Sequence, residues 1–154
     1  EWGLSLPLGA VTLTRSRFEH DPPGESEVES AVREVWETFA AWRGKLPAGA
    51  ELVGIAGTVT TLAALEHGIE VYRPGCLEGL QIAAERLDAW RERLLGMDLP
   101  ARRALPGMPP ARAGSIHAGA LMLGELVRIV GAAKITVSER GVLFGLAKEI
   151  AAGG

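Results

Sequence analysis

Apolar residues recur along this chain at two periods, and the segments they mark alternate between strand and helix. Val28, Val32, Val35, Phe39 and Trp42 repeat at helical spacing. The loop composition of His20-Asp21-Pro22-Pro23-Gly24 precedes them, and Ser26 with Glu29 three residues later predicts a capping box at the helix start. Leu52-Val53-Gly54-Ile55-Ala56 is a short apolar run of the kind expected of a buried parallel strand, and Gly57-Thr58 leads from it into a helix over residues 59–66. Beyond a loop around Tyr72-Arg73-Pro74-Gly75, Ala84, Leu87, Trp90 and Leu94 mark another helix, and Leu105-Pro106-Gly107-Met108-Pro109-Pro110 a sharp turn. Ile116, Ala120, Leu123, Val127 and Val130 place one apolar stripe on a helix predicted from about residue 111 to 130, capped by Gly131. Ile135 and Val137 alternate in a strand over 134–138, and Val142, Leu146 and Ile150 predict a closing helix over 141–150. Near the start, residues 5–9 read as a strand end leading into a short helix over 10–18. The alternation predicts an α/β fold in one domain without repeats.

Composition narrows the classes. With 47% hydrophobic residues among 154, the chain can bury one ordinary core, which excludes intrinsic disorder. A net charge of −3 excludes a nonspecific nucleic-acid binder, which needs a basic excess. The most apolar stretch, 113–137, is interrupted by Glu125, Arg128 and Lys134, so no membrane span is expected. No export signal is read at the start, which is Glu1. Cys76, the single cysteine, fits a reducing compartment, and a cytoplasmic location is expected. Charge is unevenly divided: residues 1–77 hold six basic and eleven acidic residues, and 78–154 hold ten and eight. Between residues 99 and 124, Arg102, Arg103 and Arg112 stand without any Asp or Glu and offer positive potential to an anion, or a solvated basic face.

The local feature with most chemistry is Gly54-Ile55-Ala56-Gly57-Thr58-Val59-Thr60-Thr61. Small residues there open the backbone, and hydroxyls cluster at a helix N-terminus, where unpaired N–H groups attract anions. It is neither a Walker A loop nor a GxGxxG turn. On the residues alone it suits either a phosphate seat or a plain turn with Thr58 as cap. Ser138-Glu139-Arg140-Gly141 is a second strand-to-helix corner, and ligands of open α/β sheets gather outside the carboxyl ends of strands. Arg112, behind Pro109-Pro110, has a fork suited to phosphate or to a surface salt bridge. His20, His67 and His117 lack companions at ligand spacing, so no metal site is expected from them. Neither Cys76 nor Ser138 sits in a nucleophile motif. Trp2, Trp36, Trp42 and Trp90 are spaced like core or groove residues.

Four ordered segments resemble the Ppx/GppA phosphatase family: Trp2 through Thr14, Gly54 through Ala64, Arg102 through Ala113, and Ile135-Thr136-Val137-Ser138 with Gly141 and Gly145. The resemblance implies an actin-like ATPase (ribonuclease H-like) lobe with a mixed sheet flanked by helices, comprising most of the second lobe over residues 1–154. It also implies hydrolysis of terminal phosphoanhydrides of polyphosphate or guanosine pentaphosphate by water, with Mg²⁺. Gly57, Thr58, Arg112, Ser138 and Arg140 are the expected phosphate contacts. Departures accompany the match. The family's Asp-Ile-Gly-Gly-Gly-Ser loop and the lobe with its catalytic glutamate are not in the sequence, so the 154 residues alone are expected to be inactive. Gly114 stands where Asp usually follows Arg-Ala, and Glu78 where a His-Gly pair is common. These departures sustain a competing reading, a noncatalytic phosphonucleotide sensor or a dimerisation module. Expected partners are polyphosphate or a phosphorylated guanosine nucleotide, with no nucleic acid and no membrane, and a homodimer is left open.

Overall fold

The computed structural model describes residues 5–40, 45, 51–141, 144, 145, 147, 148 and 150. In chain order these form α1 (Ala10–Arg17), α2 (Glu25–Phe39), β1 (Leu52–Ile55), α3 (Gly57–Glu66), β2 (Gln81–Ala83), α4 (Ala84–Leu95), α5 (Leu99–Arg103), α6 (Ile116–Val130) and β3 (Lys134–Ser138). The sheet is mixed, in the order β1-β3-β2. Strand β3 runs parallel to β1, with Leu52 opposite Ile135 and Ile55 opposite Ser138, and antiparallel to β2.

The period-3.6 pattern of α6 has a wider consequence than one stripe. Ile116, Ala120, Leu123 and Val127 join the larger core beneath the sheet with Leu62, Leu87, Leu94, Ile82 and Val137. Ala118 and Leu121, on the other side of the helix, pack with Leu13, Ala31 and Val35 of α1 and α2. The helix is therefore a central layer, which explains why it is apolar nearly all round. Its one buried acid, Glu125, is 2% exposed. The carboxylate accepts from Arg91 and Arg128 at 2.6 Å each and from the Trp36 indole at 2.9 Å, tying α2 and α4 to α6. Trp90 is likewise a core residue, and its indole donates to Glu66 at 2.7 Å.

Several expectations change. Helix α6 begins at Ile116, because residues 110–115 form turns, so Arg112 lies before the helix. The cap of α2 is Gly24, whose N–H donates to Glu27 at 2.6 Å; Ser26 lies inside the helix. Glu27 also takes the amides of Glu19 and His20, and these backbone bonds, Gly24's first, hold its carboxyl at about 2. Strand β1 is parallel as expected but only half covered: Gly54 is buried, whereas Val53 and Ile55 are 60% and 45% exposed. Residues 5–9 contain no strand. Strand β2 and helix α5 were not anticipated. Gly131 does cap α6 in the left-handed region, at φ 71°. Trp2, Trp42, Val142 and Leu146 lie outside the described residues, while 144, 145, 147, 148 and 150 are helical. No helix among the described residues is long and apolar enough to cross a membrane.

Two outcomes follow from the buried charges. Glu125→Ala should cost about 3 kcal/mol in urea unfolding, because it leaves Arg91 and Arg128 without their shared partner. His117, 2% exposed, has its pKa pushed from 6.5 down to about 4 by burial first and by the nearby Arg102 charge second, against the opposing pull of Asp21. The unfolded chain takes up that proton first as pH falls. Stability from this group is therefore complete above pH 6.5 and lost towards pH 4, by about 2–3 kcal/mol. Unfolding free energies measured across that window should show the slope in the native chain and lose it in His117→Gln.

Candidate functional site

The chain leaves β1 through Ala56, whose φ of 68° and ψ of −174° belong to a region that residues with a side chain rarely enter. This strained corner turns the Ala56 carbonyl into α3, where it accepts from the Thr60 amide at 3.2 Å and the Thr60 hydroxyl at 3.1 Å. The first-turn amides of Gly57, Thr58 and Val59 have no acceptor among the described residues. Thr58 does not cap the helix: the cap is Ala56, and Thr58 instead packs on α6. There a Cβ on Gly119 would fall 2.7 Å from Thr58 Cγ2 and 3.3 Å from Ala10 Cβ.

Arg112 closes the same corner from the turn before α6. A Cβ on Gly57 would lie 2.1 Å from Arg112 Cζ, 2.2 Å from Nη2 and 2.6 Å from Nε, so the guanidinium fills the space a side chain would take. Arg112 is exposed, and its guanidinium has no hydrogen-bond or ion-pair partner among the described residues, although its backbone N–H donates to the Pro109 carbonyl at 2.8 Å. A cleft of about 370 Å³ lies along α3, lined by Thr60, Thr61, Glu70, Tyr72, Met108 and Pro109 among others, and Gly57, Thr58 and Arg112 are not part of its lining.

Ser138 lies beside the first corner because Ile55 and Ser138 are register partners in adjacent parallel strands. Its donors are engaged differently. The Ser138 hydroxyl donates to both oxygens of Glu78 at 3.2 Å, the Glu139 amide donates to Glu78 at 2.7 Å, and Arg140 Nε lies 3.4 Å from the same carboxylate. Arg140 also stands over the Phe144 ring at 5.4 Å. The Glu139 carboxylate turns the other way and accepts from the Gly75 and Leu77 amides and the Tyr72 hydroxyl. Partial burial opposes ionisation of Glu139, but these donors, Gly75's first, outweigh it and keep the carboxyl below its usual range. Sequence reasoning singled out Glu78 as a departure without finding this contact, whose partners lie 60 and 61 residues away.

The arginines of 99–124 do not act together. Arg102 is 1% exposed; its Nε donates to the Ala113 carbonyl at 2.9 Å, and its other nitrogens meet Met97 and Asp21, so it is part of the interior. Arg103 is exposed. His117 stacks on Phe18 with centroids 5.1 Å apart, and its Nδ1 is buried without a partner. Among the described residues no group of three or more His, Cys, Asp or Glu is placed to hold a metal ion.

The sequence model of the Ppx/GppA phosphatase family matches residues 2–151. Exopolyphosphatase 2 of Mycobacterium tuberculosis, in two strains, is 35% identical over 96% of this chain. The chain spans about half the length of the curated relatives it matches, 48% of each. Among solved structures, a Ppx/GppA family member from Aquifex aeolicus superposes with a TM-score of 0.89 at 27% identity, covering 98% of this chain and 49% of that one. An exopolyphosphatase-like protein gives 0.86 at 26% identity, covering 96% of this chain and 49% of the other. The actin-like mixed α/β arrangement is thus the fold observed.

The two close glycine contacts should respond differently to a methyl group. At Gly57 the obstacle is the far end of a flexible side chain, so Gly57→Ala should keep urea stability within about 1 kcal/mol while unseating Arg112. At Gly119 the obstacles are a β-branched side chain and a Cβ in packed helices, so Gly119→Ala should cost about 1–3 kcal/mol.

Proposed function

Because the chain belongs to the Ppx/GppA phosphatase family, we propose that it forms one wall of the cleft of a phosphoanhydride hydrolase that removes terminal phosphate from polyphosphate. The observation that carries this reading is the seating on Gly57 of the Arg112 guanidinium, unpaired among the described residues, beside three amides that likewise have no acceptor among them. A phosphate at this corner takes N–H donors from Gly57 and Thr58, the positive end of α3, and the planar fork of Arg112. Phosphoryl transfer to water depends on positioning and charge stabilisation, and these residues supply both to the anion's oxygens. Ser138 and Arg140 form the adjacent corner, with their charge shared with Glu78. Polyphosphate is favoured as substrate by the name of the curated relatives, exopolyphosphatase 2. The single cysteine, Cys76, is free, which suits the cytoplasm.

Mg²⁺ is the metal the family implies. It takes oxygen ligands in near-octahedral geometry, usually one or two carboxylates together with substrate phosphates. Glu78 and Glu139, the carboxylates at the β3 corner, are committed to O–H and N–H donors. The described residues therefore make no Mg²⁺ cage of their own, and no step is assigned to the ion.

Binding and turnover test this reading separately. Calorimetry of the 154-residue chain with polyphosphate should show Arg112→Ala weakening affinity by roughly tenfold or more, the loss expected for a charged hydrogen-bonding partner, with Arg112→Lys recovering only part. Incubation of the chain with polyphosphate and Mg²⁺ should release no steady phosphate. Equal affinity of Arg112→Ala and the native chain would overturn the phosphate assignment, and steady release would overturn the assignment of the chemistry to residues outside this chain.

A further inference from the structure

The corner after β3 has the donor set of an oxyanion site, and the chain fills it with its own carboxylate. Three kinds of donor converge on Glu78: the Ser138 hydroxyl at 3.2 Å, the Glu139 backbone N–H at 2.7 Å and the Arg140 guanidinium at 3.4 Å. A hydroxyl, an amide and an arginine are what a phosphate oxygen would also recruit. The Glu78 side chain is 32% exposed and that of Arg140 64%, so the group is open to solvent. The fold also holds Glu78 in place. The Gly79 amide donates to the Val137 carbonyl at 2.9 Å, the Val137 amide donates to Leu80 at 2.8 Å, and Glu139 reaches back to the amides of Gly75 and Leu77. Each side of the clasp thus lends a carboxylate to the other.

We infer that Glu78 is a specificity-determining residue, an internal anion that occupies the β3 corner and confines an incoming phosphate chain to the Gly57–Arg112 corner. The two corners lie on strands about 5 Å apart, because Ile55 and Ser138 are direct partners in the parallel pair. Held on Ser138, the strand partner of Ile55, the Glu78 carboxylate repels the next phosphate of a chain seated on Gly57, and it also withholds the Ser138, Glu139 and Arg140 donors. Glu78 thereby sets how many phosphates this wall of the cleft accepts. This inference rests on the phosphate reading of the Gly57 corner, and its test separates the two.

Glu78→Gln retains an oxygen acceptor for Ser138 and Glu139 and removes only the charge. Calorimetry with inorganic tripolyphosphate at low salt should show E78Q binding roughly five- to tenfold more tightly than the native chain, with the gain shrinking as salt rises. The gain should shrink in E78Q/R140A, where the repulsion is still relieved but the Arg140 guanidinium is no longer released to the anion. In the native chain, titration followed by amide NMR should move Gly57 and Thr58 and leave Glu139 in place. Affinity of E78Q equal to or below that of the native chain would overturn the inference. Should E78Q not fold, the native titration decides: movement of the Glu139 amide with the anion refutes an occupied corner. An Arg112→Ala chain that binds tripolyphosphate as the native chain does overturns the Gly57 reading and the confinement built on it, whereas weakened binding by Arg112→Ala with no gain in E78Q overturns the role of Glu78 and leaves the Gly57 reading standing.

Discussion

Thr58 rests on a position of α6 that has no side chain, and this contact sets how closely α3 approaches the central helix. Helix α6 cannot shift to relieve it, because one side is packed under the sheet and the other against α1 and α2. The turn that carries Arg112 runs directly into the same helix, so the guanidinium and the Gly57 corner share one rigid reference. A Cβ at Gly119 separates α3 from α6, and a Cβ at Gly57 displaces the arginine that the approach delivers. The strained backbone at Ala56 costs about 1–3 kcal/mol. Burial of Val59, Leu62 and Ala63 in the helix that follows offsets this, since each large apolar side chain contributes about 1.5–3 kcal/mol.

The register of two parallel strands then makes neighbours of two corners that are 80 residues apart in sequence, and gives them opposite electrostatic character. At the β1 corner the donors are open: three amides and an arginine without an acid near them in sequence. At the β3 corner the Ser138 hydroxyl, the Glu139 amide and the Arg140 Nε already face Glu78. Parallel strands ending side by side are what place ligand crevices at this edge of α/β sheets. In this chain the crevice is asymmetric because a single carboxylate, delivered by the loop before β2, lies in one half of it.

What the sequence disclosed follows the length and period of each element. The run 52–56 followed by Gly57, the alternation at 134–138, the Gly131 cap and the face of α6 carry enough periodic positions to be read directly. Strand β2 has three residues and one buried position, Ile82, too few for a period of two to appear. The start of α6 was read too early because Ala113 extends the apolar pattern upstream while Gly114 and Ser115 hold turn geometry. At the site, residue types pointed to Gly57, Arg112 and Ser138 separately, but their meeting depends on α6 lying against α3, which no local pattern encodes. Arg102 was misread for the same reason: its acid, Asp21, lies 81 residues away.

A chain with net charge −3 holds a polyanion only where positive charge is concentrated locally and left unspent. Most arginines near the core are spent on the fold: Arg91 and Arg128 on Glu125, Arg86 on Glu66, Arg102 on Asp21 and backbone carbonyls. A buried guanidinium needs such partners, since the charge loses its water on folding. Arg112 is under no such constraint, because it sits at the surface with its guanidinium over a residue that has no side chain. Its fork keeps its capacity for a bidentate partner. Among the arginines of 99–124, it is Arg112 that combines a strained strand-to-helix corner with a guanidinium unpaired among the described residues, which is the arrangement expected of an arginine kept for a ligand.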